Sequence, residues 1–146
     1  MITAVVDTNV FIAGVLTNHP RSASRQVIDR QEAGDFTLAL SPETLQEVLH
    51  VFRHPHLRLI HHLSDAEIRQ FARRLEVGSR IFSGAVDISP SLTRDATDTK
   101  WVALSLEADA DYLITLDNRH LGKLKRVGRT KIVTPAAFLR ALDRSK

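Results

Sequence analysis

Residues 2–7 of the sequence read ITAVVD, a short and mainly β-branched run that ends in an acid, Asp7. Residues 2–6 have no polar face, which is the pattern of a strand covered on both sides. Buried strands of this kind are typical of parallel sheets, because the crossover connections lay helices on both faces. The run therefore predicts an α/β sheet domain in which Asp7 directly follows the first strand.

Strand and helix patterns alternate along the rest of the chain. Further strands are predicted at residues 36–40, 85–88, 112–115 and 131–133. Helices are predicted at residues 22–33, from a Ser41-Pro42 start to a break at residues 54–56, and at residues 64–77, 98–108 and 135–142. With no repeat or linker between the elements, this alternation predicts one three-layer α/β/α domain over residues 1–146 with a mainly parallel sheet.

The composition excludes several classes of protein. The chain has 146 residues, of which 43% are hydrophobic and 25% are charged, as in an ordinary globular domain. It has no cysteine, which rules out a disulfide scaffold, a thiolate zinc site and a cysteine nucleophile. Asp7 and Asn9 interrupt the apolar stretch at residues 2–16, so neither a signal peptide nor a membrane span is expected. A cytoplasmic protein is the resulting expectation.

Basic residues slightly outnumber acidic ones. Twenty Lys and Arg against 17 Asp and Glu give a formal net charge of +3, which permits nucleic-acid binding without establishing it. The densest basic stretch follows Asp117 and consists of Arg119, His120, Lys123, Lys125, Arg126 and Arg129. This stretch is interpreted either as a surface that steers phosphate groups or as a solvated basic loop.

Two acids follow predicted strands. Asp7 follows the first strand directly, and Asp117 follows the strand at residues 112–115 after one intervening residue. Ligands of parallel α/β sheets bind outside the carboxyl ends of the strands, near a topological switch point. Either acid alone is also explained as a cap of the next helix or turn, where Asp is favoured. Together the two acids indicate a site at one edge of the sheet.

Two further acids lie on predicted helices. Asp98 would share a helix face with Trp101, Val102 and Ser105, and this apolar face would aim the acid inward. A favourable charge in the first turn of the helix is the alternative explanation for Asp98. Glu47 lies opposite the apolar stripe of its helix, so periodicity favours a solvated position for it.

Carboxylates that converge raise one another's pKa and oppose ionisation. Mg²⁺ or Mn²⁺ relieves this repulsion, because hard oxygen ligands suit these ions. Two such ions about 3.5–4 Å apart generate a hydroxide nucleophile and hold both oxygens of a phosphoryl displacement. The chemistry needs no protein nucleophile, in agreement with the lack of a cysteine, a G-x-S-x-G elbow and a Walker loop.

Five segments, taken in order, carry a family resemblance. They are residues 5–10 (VVDTNV), 41–49 (SPETLQEVL), 94–101 (RDATDTKW), 110–117 (ADYLITLD) and 132–139 (IVTPAAFL). The first four resemble the acidic motifs of PIN-domain nucleases. The fifth is similar to the tail of PIN-family toxins of bacterial toxin–antitoxin systems, which are related to the VapC ribonucleases. The resemblance spans essentially the whole chain.

The resemblance implies a five-stranded parallel sheet between helices and cleavage of RNA phosphodiesters with Mg²⁺ or Mn²⁺. The implied catalytic and metal-binding acids are Asp7, Glu47, Asp98 and Asp117. Supporting roles fall on Thr8, Asn9, Asp95 and Thr115. Besides the RNA substrate, the implied partners are a cognate antitoxin protein and a second copy of the chain in a homodimer. Thr99 and Leu116 depart from the family pattern, which often has an acid and a glycine at these positions.

Two other functions stay open. The same fold serves as an RNA-binding or interaction module when its acids are lost, whereas this sequence retains all four. A phosphatase of the haloacid-dehalogenase type also has an Asp after its first strand, but Asn9 stands where that family has a second Asp.

The histidines and two large aromatic residues have simpler interpretations. His50, His54, His56, His61 and His62 cluster in the sequence, but they lack an H-E-x-x-H motif and are interpreted as surface residues rather than zinc ligands. Trp101 and Phe52 are predicted to lie in the core rather than to stack on bases.

Overall fold

The computed structural model describes residues 1–84, 99–117 and 121–145, and within them six strands form one sheet. The strands are β1 Thr3–Val6, β2 Thr37–Leu40, β3 Ser79–Ile81, β4 Tyr112–Ile114, β5 Arg126–Val127 and β6 Thr130–Val133. Their order is β3-β2-β1-β4-β6-β5, and every neighbouring pair is parallel except β5 with β6. The predicted α/β fold with a mainly parallel sheet is confirmed, with six strands where about five were expected.

Helices connect most of the strands. They are α1 Thr8–Leu16, α2 Ala23–Glu32, α3 Pro42–Arg53, α4 Pro55–His61, α5 Asp65–Glu76, α6 Thr99–Glu107, α7 Leu121–Leu124 and α8 Pro135–Arg144. Ser22, Ser41, Ser64 and Thr134 cap α2, α3, α5 and α8 by accepting a backbone N–H with the side-chain oxygen. In the described part of the chain, each helix is too short or too polar to cross a bilayer.

The centre of the sheet is covered on both faces. Ala4, Val5 and Val6 of β1 are at most 2% exposed, although successive side chains of a strand point to opposite faces. Helix α6 packs against β1, β2 and β4, and α8 packs against β4. The apolar run that opens the sequence therefore forms the strand that its pattern predicts.

The strand order changes direction between β1 and β4. From β1 the chain builds outward through β2 to β3, and it then returns to pair β4 with the other side of β1. The register pairs Val6 with Ile114, the last residues of the two strands. This is a topological switch point, and in such sheets ligands bind in the crevice at the carboxyl ends of the strands. Asp7 and Asp117 follow these two ends.

Helices α1 and α2 pack closely against each other at Gly14. A Cβ atom on Gly14 would lie 2.5 Å from Ile28 Cδ1 and 2.9 Å from the backbone oxygen of Ser24. A glycine is needed here because the neighbouring backbone occupies the space of a side chain. The contact fixes the direction of α1, which begins next to Asp7.

Several elements differ from the sequence predictions. Helix α1 was not predicted, because residues 8–16 are apolar on most sides and show no single hydrophobic stripe. The helix break is confirmed but consists of His54 alone, because α4 begins at Pro55; His54 both ends α3 and caps α4. The third strand along the chain lies at Ser79–Ile81, and the predicted strand at residues 85–88 lies outside the described residues.

Candidate active site

Asp7 lies at the carboxyl end of β1 with its side chain directed into the fold. The residue is 8% exposed, and its backbone N–H donates to the carbonyl oxygen of Ile114 over 2.9 Å. Asp7 holds the N-cap position of α1, yet its carboxylate makes no capping hydrogen bond. Instead, Asp7 Oδ2 accepts a hydrogen bond from Thr115 Oγ1 over 2.8 Å. Helix capping therefore does not account for the carboxylate at this position.

Thr115 joins the ends of β1 and β4 through one hydroxyl group. Besides donating to Asp7, its oxygen accepts from the backbone N–H of Asp117 over 3.0 Å and from Asn9 Nδ2 over 3.4 Å. Asn9 Oδ1 in turn accepts from the backbone N–H of Leu116 over 3.2 Å. A hydroxyl has one donor and two acceptor sites, so all those of Thr115 are used. The network fixes the chain around Asp117 relative to Asp7.

Glu47 reaches the same region from α3. Its Oε2 accepts from Thr8 Oγ1 over 2.6 Å, and its Oε1 accepts from Lys100 Nζ over 2.8 Å. The Glu47 and Lys100 side chains are only 22% and 21% exposed. The solvated position favoured by the helical wheel is therefore wrong for Glu47. The wheel could not anticipate the partners, because Thr8 and Lys100 are far from Glu47 in the sequence.

Lys100 also belongs to the candidate site, although no sequence motif singles it out. It lies in the first turn of α6, and its ammonium group links that helix to α3. The available signal was its place in the RDATDTKW segment, one residue after Thr99. Periodicity gave no reason to prefer it to the other basic residues of the chain.

The sequence predicts a buried face on the helix at residues 98–108, and the described part of this helix, α6, confirms it. Trp101, Val102 and Ser105 are at most 2% exposed on α6, and Ser105 Oγ donates to the Trp101 carbonyl oxygen over 2.8 Å. Asp98 directly precedes this helix, and both Asp98 and Asp95 lie outside the described residues.

The donors at the carboxyl ends of β1 and β4 are oxygens of carboxylates and hydroxyls. Oxygen donors of this kind fit Mg²⁺ or Mn²⁺ and do not suit soft metals. One of them, Glu47 Oε1, already binds a cationic group, the ammonium of Lys100. Among residues 1–84, 99–117 and 121–145, no three His, Asp or Glu side chains are grouped closely enough to hold a metal ion. Asp7, Glu47 and Asp117 therefore offer oxygen donors of a suitable kind without forming a three-acid metal site by themselves, and Asp98 lies outside the described residues.

An open groove of about 770 Å³ runs along α3 to the Glu47–Lys100 pair. His50 and Arg53 line it farther along the same helix. Both are exposed, and Arg53 offers positive charge within two helical turns of Glu47.

Most of the clustered histidines lie at the surface, as the sequence predicts. His50, His54, His56 and His62 are exposed, and His61 is half-buried. The His61 Nδ1 atom accepts from the Leu63 backbone N–H, and Nε2 lies 2.8 Å from the Phe52 carbonyl oxygen and donates to it. Because both ring nitrogens are engaged, His61 has no lone pair to offer a metal.

The basic stretch after Asp117 divides into two parts. Lys123, Lys125 and Arg126 are exposed, whereas Arg129 forms ion pairs with Asp109 and Asp111 before β4. Arg119 and His120 lie outside the described residues. The aromatic prediction is confirmed, since Phe52 and Trp101 are 1% and 2% exposed.

Comparison with known protein families gives one match. A family model described as the PIN domain matches residues 3–119 of the chain. The matched span runs from β1 past Asp117 and includes the ends of both strands that meet at the switch point. No curated protein matches the sequence.

Proposed function

Because the chain belongs to the PIN domain family, whose members are generally nucleases, we propose that it is a metal-dependent endoribonuclease. The observation that carries the proposal is the pair of hydroxyl bridges at the switch point of the sheet. Thr115 holds the Asp7 carboxylate beside the backbone of Asp117, and Thr8 holds the Glu47 carboxylate. Asp7 and Asp117 follow the carboxyl ends of two adjacent parallel strands, where ligands of such sheets bind, and their oxygens suit a hard cation.

The residues that would hold Mg²⁺ or Mn²⁺ are Asp7, Glu47, Asp98 and Asp117. The bound ion supplies a water of lowered pKa and neutralises charge on the phosphate. The chain's own contribution is orientation. The Thr115 and Thr8 hydroxyls each donate to a carboxylate oxygen and so hold that carboxylate in one orientation. Asn9 secures the turn that carries Asp117 by accepting the Leu116 N–H.

Different observations support RNA as the substrate and a role as a toxin. The net charge of +3 and the exposed Lys123, Lys125 and Arg126 are compatible with a polyanionic substrate. The toxin role, the cognate antitoxin and the homodimer rest on the likeness of residues 132–139 and of the ordered acidic motifs to PIN-family toxins. In this proposal the intact acids, including Asp95 as an auxiliary, make the chain a working enzyme rather than a silent RNA-binding module.

The test compares the wild-type protein with Asp7→Asn on a labelled RNA in the presence of Mn²⁺. We expect the variant to lose RNA cleavage by at least about 100-fold, because the amide carries no charge for the cation, and to keep the wild-type fold. Calorimetric titration with Mn²⁺ should show weaker binding. Asp109→Asn is the matched control, since Asp109 is exposed before β4, at the opposite end of the strand from Asp117.

Three results would contradict the proposal. Parental cleavage by Asp7→Asn would exclude the assigned site. RNA binding without cleavage under any divalent ion would favour the silent module. A phosphoenzyme on Asp7 would favour a phosphatase, although Asn9 is already engaged with Leu116 and Thr115.

A further inference from the structure

Lys100 occupies one oxygen of a carboxylate assigned above to the metal. Its Nζ lies 2.8 Å from Glu47 Oε1, while the other oxygen of Glu47 is taken by Thr8. The three residues belong to α6, α3 and α1, so the contact joins separate helices. Both members of the ion pair are about four-fifths buried, which distinguishes the pair from a flexible surface contact.

The electrostatics of the site explain why a cation sits there. Glu47 is hydrogen-bonded to Thr8, the residue after Asp7 at the end of β1, and Asp117 follows the neighbouring strand β4. Like charges in a partly buried region destabilise one another, and a cation among them offsets the repulsion. The Lys100 ammonium is such a cation, held by hydrogen-bond geometry to the carboxylate.

We propose that Lys100 is a built-in counter-ion that a divalent metal must displace from Glu47. This inference rests on the proposed metal-dependent function and adds a form of regulation to it. Without metal, Lys100 keeps Glu47 in position and holds α6 against α3. When the metal binds, Lys100 releases Glu47 Oε1. Competition between the two cations then sets the metal concentration at which the site becomes loaded.

The surroundings allow this exchange. The Glu47–Lys100 pair forms part of the wall of the open groove along α3, so a hydrated ion reaches Glu47 without unfolding a helix. The Lys100 side chain lines the same groove, and four rotatable bonds let its ammonium turn away from Glu47. The Thr8 hydrogen bond to Glu47 Oε2 remains available to hold the carboxylate after Lys100 has left.

The first test is Mn²⁺ binding by Lys100→Gln, measured by calorimetry on the full chain. Removing the competing charge should tighten Mn²⁺ binding on the order of tenfold. The metal-free variant should also melt at a lower temperature and gain more from added Mn²⁺ than the wild type does. Lys131→Gln is the matched control, because Lys131 is exposed at the start of β6 and pairs in register with Tyr112, at the far end of the strands. Lys100→Arg keeps the charge and should stay near the wild-type affinity.

A second measurement uses the wild-type protein and does not depend on how a variant folds. Mg²⁺ is added while the side-chain ¹⁵N and ¹³C signals of the lysines are followed by NMR. The Lys100 signals should move together with the Glu47 carboxyl signal and reach the chemical shifts of a solvated lysine, while those of Lys131 should not change. Movement of Glu47 with an unchanged Lys100 would overturn the proposal.

The outcomes separate this inference from the proposed function. If the wild type binds Mn²⁺ and Lys100→Gln binds it equally well or more weakly, Lys100 is not a competitor, and the nuclease proposal stands. If neither protein binds a divalent ion, the metal-dependent function fails and this inference fails with it. Binding by Lys100→Gln at ion concentrations that leave the wild type empty would support the inference directly.

Discussion

Thr115 shows how much of the site depends on a single buried hydroxyl group. The residue is 3% exposed and uses its hydroxyl to join Asp7, Asn9 and the backbone of Asp117. A methyl group in its place would leave the partner groups unsatisfied in a region that water enters poorly.

Thr115→Val is therefore expected to lower the free energy of unfolding by about 1–3 kcal/mol and to weaken Mn²⁺ binding. Denaturant titration and calorimetry measure the two effects. Thr115→Ser keeps the hydroxyl and should retain most of the wild-type metal affinity. Equal metal affinity in the Val and Ser variants would show that the hydroxyl does not position Asp7.

At the same scale, the sequence identifies some site residues better than others. Asp7 and Asp117 are predicted as site residues from position alone, because an acid that follows a parallel strand lies at the edge where ligands bind. Glu47 is not, since periodicity describes only a residue's own helix, and its partners Thr8 and Lys100 come from two others. Family resemblance supplied Glu47, and the contacts of Lys100 became visible only in three dimensions.

The sequence predicts a helix correctly wherever an N-cap residue is followed by an apolar stripe at helical spacing. Ser64 and Glu67 form the predicted capping box of α5, and Ser41 with Pro42 begins α3 as expected. Helix α1 lacked an apolar stripe, because its residues are apolar on most sides, and its cap residue Asp7 makes no capping hydrogen bond. The sequence did not predict strands β3 and β5, because strands of three and two residues are too short to show an alternating hydrophobic pattern.

The start of α5 is held to α4 by an ion pair whose strength depends on pH. The hydrogen bond and charge of Arg58 hold the pKa of the Asp65 carboxyl below its ordinary value of 3.8. A carboxyl whose pKa is lowered by folding stabilises the protein above its ordinary pKa, and this contribution is lost as the pH falls below 3.8.

We therefore expect Asp65→Asn to be less stable than the wild type at pH 7, with the difference shrinking below the ordinary pKa of Asp65. The effect should be small, because the Asp65 side chain is 62% exposed and solvent screens its charge. Urea titrations at pH 7 and near pH 3 would measure it. In the Arg58→Gln background, the effect of Asp65→Asn at pH 7 should be smaller, because only the weaker charge interactions with Arg53 and Arg69 remain. A pH-independent difference would mean that the charge of Asp65 is not responsible.

At the scale of the whole molecule, helix α8 packs against α2 and against strand β4 of the sheet. Phe138 is fully buried and packs edge-to-face on Phe36 and Tyr112, with ring centroids 4.9 Å and 5.6 Å away. Arg30 adds ion pairs to Asp35 and Asp143, and the hydrogen bond with Asp35 is the main cause of the raised pKa of its guanidinium. The α8 helix lies beyond the residues matched by the family model, yet its aromatic contacts include β4, which leads to Asp117.

Phe138→Ala is expected to cost about 3–5 kcal/mol of unfolding free energy, because it opens a cavity between α8 and the sheet. Denaturant unfolding of the full chain measures the loss. Arg140→Ala, at an exposed position of the same helix, should change stability by no more than about 0.5 kcal/mol. A similar cost for the two variants would show that α8 does not stabilise the molecule through Phe138.

The two edges of the described sheet are formed by β3, with three residues, and β5, with two. Long, flat and apolar edge strands recruit further chains and start aggregates, whereas short edges with charged residues resist this. Arg80 occupies the middle of β3, and β5 runs antiparallel to its neighbour and begins with Arg126. The sheet is thus poorly suited to growing by strand addition, so the protein should tolerate high concentrations without forming amyloid-like fibres.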